Sequence, residues 1–152
     1  MAKNILLAAA STAVLLGCAS PGPQTMRVPN TDPRNPQVYV LSDGAPTCDD
    51  RVLAIAVEPP TLHFPNSGNG KAFPIIWHLK TKGYKFAQNS NLPDPAPLNG
   101  PQGVISNCNS GGLTMQCLNK DTAKGAWKYD IKGVIADDGC NPPDLDPIIS
   151  ND

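Results

Sequence analysis

Two histidines, five cysteines and a single glutamate are the side chains from which acid–base, nucleophilic or metal chemistry would have to be assembled in this chain. His63 lies between Leu62 and Phe64, and His78 follows Trp77. Neighbouring side chains of an extended strand point to opposite faces, so both imidazoles are expected to face solvent, away from the bulky residues beside them. They share a site only if their strands are neighbours. Glu58 is the sole glutamate, so paired-carboxylate chemistry must draw on aspartates. Asp137, Asp138, Asp144 and Asp146 gather late in the chain with Asn141 among them. Hard cations such as calcium take oxygen ligands of this kind, but the spacing fits no calcium loop and Pro142-Pro143 interrupts it. A solvated acidic turn is expected there. No Gly-x-Ser-x-Gly, His-Glu-x-x-His or phosphate-cradling glycine loop occurs. The expectation is therefore no catalytic residue, no metal site and no cofactor.

The stretch from Trp77 to Phe86 has a chemical character of its own, with His78, Lys80, Lys82 and Lys85 alongside Tyr84 and Phe86. Lys82-Gly83 reads as a turn. A hairpin about that turn would present His78, Lys80, Lys82, Tyr84 and Lys85 as a candidate binding surface, a cationic aromatic tip suited to anionic glycans, lipid headgroups or nucleic acid. The alternative is that the lysines guard an edge hairpin against pairing with other chains while the aromatics point into the core. The whole chain carries 12 Lys+Arg against 13 Asp+Glu. That balance lacks the basic bias of a nucleic-acid binder, so no nucleic-acid partner is expected.

At the N-terminus Lys3 precedes an uncharged run from Ile5 to Leu16, twelve residues long. A membrane-spanning helix needs roughly 20 apolar residues, so the run has the length of a signal-peptide helix instead. The residues that follow, Leu15-Leu16-Gly17-Cys18, resemble the lipobox of bacterial lipoprotein precursors. The resemblance implies a signal peptide over residues 1–17, cleavage after Gly17, and a diacylglyceryl group on the Cys18 thiol. Such an anchor gains about 0.8 kcal/mol per buried methylene and tethers the protein to the membrane without a transmembrane helix. In Gram-negative lipoproteins an Asp after the cysteine retains the protein at the inner membrane. Here Ala19 follows, which implies an outer-membrane anchor facing the periplasm.

With Cys18 given to lipid by that resemblance, Cys48, Cys108, Cys117 and Cys140 remain. An even number in an oxidising compartment reads as two disulfides with three possible connectivities. Asn109-Ser110-Gly111-Gly112 supplies turn residues that would let two adjacent strands join Cys108 to Cys117, leaving Cys48 with Cys140 across the length of the fold. No Cys-x-x-Cys occurs and no histidine lies close in sequence to a cysteine, so these read as staples rather than metal ligands or reactive thiols.

The elements that must position these residues are short. Pro and Gly supply 17 and 13 of the 152 residues, which argues against a helical bundle. From Cys18 to Pro36 the chain contains five prolines and almost no large apolar residue; it reads as a tether that cannot bury enough surface to order itself. Residues 37–152 then form one domain of ordinary size. Alternation is the dominant pattern there. Leu53, Ile55 and Val57 share one face, as do Phe73, Ile75, Trp77 and Leu79, and as do Trp127, Tyr129, Ile131 and Ile135. Further short strands are expected at Val38–Leu41, Tyr84–Phe86, Val104–Asn107 and Leu113–Leu118. The fold class that follows is all-β, an antiparallel two-sheet sandwich with Ig-like, Greek-key wiring; a small β-barrel is the alternative.

Residues from Glu58 to Asn151 resemble a loose set of small exported proteobacterial proteins with no assigned activity. The shared elements are Trp77-His78-Leu79, Gly83-Tyr84-Lys85-Phe86, Cys108 with Cys117-Leu118-Asn119, Lys128-Tyr129-Asp130-Ile131 and Leu145-Asp146-Pro147-Ile148-Ile149-Ser150-Asn151. The resemblance implies a β-rich exported domain with Leu145 to Ile149 packed upon it, and carries no site across. The function expected from all this is a non-enzymatic binding or scaffolding module of the cell envelope, with an envelope protein or cell-wall component as partner. Two alternatives stand beside it. One is an inhibitor or immunity lipoprotein that neutralises lysozyme or an envelope-targeting toxin; the other is an enzyme or metal-binding protein that uses its Asp and His side chains.

Overall fold

The computed structural model describes residues 27–65, 70–89 and 92–152. The expected signal peptide over residues 1–17 and the expected lipidation site Cys18 lie outside the described residues. Eleven strands follow one another along the described chain: β1 (Gln37–Ser42), β2 (Leu53–Glu58), β3 (Thr61–Phe64), β4 (Phe73–Leu79), β5 (Tyr84–Asn89), β6 (Ala96–Pro97), β7 (Ile105–Gly112), β8 (Thr114–Asn119), β9 (Gly125–Lys128), β10 (Val134–Ala136) and β11 (Ile148–Asn151). There is no helix among the described residues. Seven strands form one sheet in the order β10-β5-β7-β8-β4-β1-β2, and four form a second in the order β3-β11-β9-β6.

The fold is all-β with two sheets, as the alternation predicts, but neither sheet is wholly antiparallel. β1 pairs parallel with β4, and β11 pairs parallel with β3. One of the two sheets curls into a half-barrel. The departure has a physical origin. After the β1–β2 hairpin the chain crosses to the smaller sheet as β3 and returns as β4 on the free side of β1, running in the same direction as β1. Alternation along a strand reports which side chains are buried and is blind to which strand lies alongside.

The core follows the predicted faces closely. Ile55, Val57, Ile75, Trp77, Leu79, Trp127, Tyr129 and Ile131 are all buried. Ile135 is the exception. Gly133 adopts φ +64°, a left-handed conformation that breaks the two-residue period, so Val134 and Ala136 turn inward and Ile135 is left 36 % exposed. The β7–β8 turn also falls later than expected. Asn109 and Ser110 are still within the ladder, and Gly112, with φ +59°, takes the turn.

Residues 27–36, expected to belong to the tether, lie against the domain. Pro36 is fully buried, the carbonyls of Arg34 and Pro36 accept from the N–H groups of Ile76 and His78, and Arg27 pairs with Glu58. Backbone hydrogen bonds, one proline and polar side chains make these contacts, so a composition poor in large apolar residues does not foretell them.

Three side-chain contacts among the described residues illustrate how the sheets are joined. The Trp77 indole N–H donates to the Tyr129 hydroxyl at 3.0 Å, and Phe64 and Phe73 meet with ring centroids 5.1 Å apart. Asn119 and Asn151 exchange amide hydrogen bonds of 2.9 and 3.2 Å while both are buried. A buried carboxamide is tolerated only when its donors and acceptors are met, and here each amide meets the other. Asn119 Oδ1 also accepts from the Asp121 N–H, and Asn151 Nδ2 also donates to the Ala123 carbonyl. Both disulfides take the expected partners, Cys48 with Cys140 and Cys108 with Cys117.

Candidate functional site

The residues expected to form one cationic tip are divided by the fold. β4 and β5 are not neighbours, because the β7–β8 hairpin lies between them in the sheet. Lys82-Gly83 does turn, with Gly83 at φ +81°, but it turns within a connection that passes the tip of that hairpin, where the Leu79 N–H donates to the Leu113 carbonyl at 2.9 Å. The protected-edge reading of the lysines fails for the same reason. The edges of this sheet are β10 and β2, and both β4 and β5 lie inside it.

What the fold does bring together is Lys80, Lys82 and the strand β1. The Lys80 N–H donates to the Val38 carbonyl at 2.9 Å. Thr81, buried between the two lysines, accepts the Val40 N–H at 2.8 Å and returns its own hydroxyl proton to the Val40 carbonyl. Thr81 is thereby held on β1, and Lys80 and Lys82 on either side of it are both exposed. No carboxylate pairs with either among the described residues. Leu113, 60 % exposed, adds an apolar element beside them. Tyr84 opens β5 half-buried, and Lys85 lies 4.0 Å from Asp137. His78 is half-buried on β4, flanked by Thr114 and Gln37, at a distance along the sheet from Lys85 set by two intervening strands.

The same end of the domain holds the Cys48–Cys140 disulfide and an ion pair between Arg51 and Asp138 at 2.7 Å. The Arg51 guanidinium, and after it the Cys140 N–H, hold the Asp138 carboxyl below the ordinary carboxylate value. The late aspartates are thus spread among separate partners: Asp137 near Lys85, Asp138 on Arg51, and Asp146 on Lys128 at 2.6 Å. Asn141 Oδ1 is occupied by the Ala136 N–H. No group of three or more potential metal ligands converges among the described residues.

The two histidines stand in different sheets. His63, on β3, has a set of partners that its sequence neighbours do not announce. Its Nδ1 is 2.9 Å from Ser150 Oγ, and its Nε2 is 2.6 Å from Asp152 Oδ2. Parallel pairing of β3 with β11 places Ser150 directly beside His63, so only knowledge of that pairing reveals the cluster. A hydroxyl, an imidazole and a carboxylate in a row can pass a proton, but hydrolysis further needs a substrate cleft and donors for a developing oxyanion. The side chains of His63 and Asp152 are about three-fifths exposed, and neither of the cavities described for this chain is lined by them. What the geometry does supply is a clasp that fastens β11 to β3.

The chain matches no family model, no curated protein and no solved structure. The fold and its side chains therefore carry the functional argument. Two disulfides point to an oxidising, extracytoplasmic compartment. Among the described residues no helix is long and apolar enough to cross a membrane.

Proposed function

We propose that this protein is an outer-membrane lipoprotein, anchored through Cys18 and facing the periplasm, that serves as a non-enzymatic binding or scaffolding module of the cell envelope. The observation that carries the reading is the clamp at Thr81, between the exposed Lys80 and Lys82 and beside the exposed Leu113. Two cations flanking a clamped backbone position, with no carboxylate partner among the described residues, break no existing ion pair and lose little backbone freedom when an acidic partner arrives. An exposed leucine alongside supplies apolar area to the same contact. The partner that fits is an acidic surface on an envelope protein or on the cell wall. The anchor at Cys18 would bring that surface within reach, and the disulfides suit the compartment.

The test is brief cross-linking of intact host cells that express the tagged chain, followed by mass spectrometry of what co-purifies, with Cys18→Ser and Lys80→Glu/Lys82→Glu forms in parallel. A specific partner lost from both variants supports the reading. A partner retained by the charge-reversed form removes the lysine surface from it, and no enrichment above the Cys18→Ser control overturns the scaffold reading as a whole.

A further inference from the structure

The largest cavity described for this chain lies away from Lys80 and Lys82. It is an open cleft of about 460 Å3 between the segment that precedes β1, the end of β3 and the start of β4. That volume lies in the range of small-molecule sites. Phe64 and Phe73 form its aromatic wall, with Pro33 and Ala72 adding apolar surface.

The polar groups of the cleft differ sharply in what they have left to give. Asp32 accepts the Arg34 N–H at 2.9 Å on one carboxylate oxygen and the Asn35 amide at 2.8 Å on the other. These bonds, the Asn35 amide first, hold it ionised by lowering its pKa. Buried Asp121 and exposed Lys71 complete the charged lining. Arg34 is arranged differently. Its carbonyl is fixed by the Ile76 N–H at 2.8 Å, Pro33 and Pro36 restrict the chain on either side, and its guanidinium lies 4.4 Å over the Phe73 ring. The Arg34 guanidinium thereby stands over the aromatic wall of the cleft. A guanidinium is a planar fork of donors that matches a carboxylate bidentately.

We propose that this cleft binds a small organic carboxylate with an apolar or aromatic body, the carboxylate on Arg34 and the body against Phe64 and Phe73. The proposal is independent of the anchor and of the lysine surface, and it stands or falls without them. Asp32 keeps its negative charge, and the lining balances it and Asp121 with two cations, Arg34 and Lys71.

The test is an NMR titration of the full chain, with both disulfides formed, using 3-phenylpropionate as the probe. 3-Phenylpropionamide lacks the charge and propionate lacks the body. Saturable shifts at Arg34, Phe64 and Phe73 are expected with the first compound, and binding at least tenfold weaker with each of the others. Arg34→Ala should weaken 3-phenylpropionate binding by about tenfold to a hundredfold, the range for a lost charge-assisted hydrogen bond. Arg34→Lys keeps the charge and the aliphatic stem but not the fork, so it too should bind weakly, and it covers the case in which the alanine form does not fold. Equal binding of acid and amide, shifts confined to another part of the surface, or undiminished affinity in Arg34→Lys would each overturn the proposal.

Discussion

Removing the Cys48–Cys140 bridge should cost this domain a large part of its stability, and the reason lies in the unfolded chain. The bridge spans a sequence separation of 92 residues. On the chain-entropy estimate a closed loop of that length removes about 16 cal/mol/K from the unfolded ensemble, or about 4.6 kcal/mol at 25 °C. Domains of this size are stable by only about 5–15 kcal/mol. Cys48 is exposed and Cys140, though buried, stands outside the main hydrophobic cluster, so Cys48→Ala/Cys140→Ala takes little packing with it. The Arg51–Asp138 ion pair still joins the same two loops, which keeps the native arrangement available to the variant. The Cys108–Cys117 bridge is a less clean probe, because its separation is only nine residues and both its cysteines are buried in the core. Urea unfolding followed by far-UV circular dichroism at 25 °C would read the difference. The expected result is a loss of about 4–5 kcal/mol together with a steeper denaturant dependence, since an uncrosslinked unfolded chain exposes more surface. A loss under about 2 kcal/mol with an unchanged slope would refute the loop-entropy reasoning.

Three further outcomes are expected. Asn151→Ala strands the buried Asn119 amide that now pairs with it, and should cost about 1–3 kcal/mol in thermal unfolding. Gly125→Ala places a methyl group 2.5 Å from the Asn99 carbonyl oxygen and 2.9 Å from the Gly100 backbone, at a φ of +150°. It should destabilise by about 1–3 kcal/mol and shift the emission of the adjacent Trp127 to the red. Asp138, whose pKa is lowered chiefly by its hydrogen bond to Arg51, contributes stability that is present above about pH 4 and is lost as pH falls through its lower folded value. Arg51→Ala should therefore flatten the acid limb of the stability profile, measured as urea midpoints across the acid range, and leave the neutral region less affected by pH.

Much of the local architecture was legible from residue types. Leu62 and Phe64 turn inward with His63 outward, Trp77 and Trp127 fill the centre, and the four cysteines pair as their turn residues and spacing suggest. The pairing of strands was not legible, because a two-residue period is the same whichever strand lies alongside. That one blind spot accounts for the divided cationic tip, since β7 and β8 enter between β4 and β5. It also hid the Ser150–His63–Asp152 cluster, which exists only because β11 runs parallel to β3. The cleft at Arg34 was hidden for another reason. The stretch that builds it is poor in apolar residues and reads as a tether, yet backbone hydrogen bonds to β4 hold it in place.

The position of β11 has a consequence for the order in which the molecule can assemble. It lies at the centre of the smaller sheet, and β3 and β9 meet only through it. His63 waits for Ser150, 87 residues later. At roughly 5–20 residues per second of synthesis, that interval is on the order of 4–17 s. During it β3 has no partner in its own sheet, and the Asn119 amide lacks the Asn151 amide that completes it. The smaller sheet therefore stays open until its central strand arrives, and a chain whose closure is delayed in this way suits a translocation channel, which must thread it before it folds.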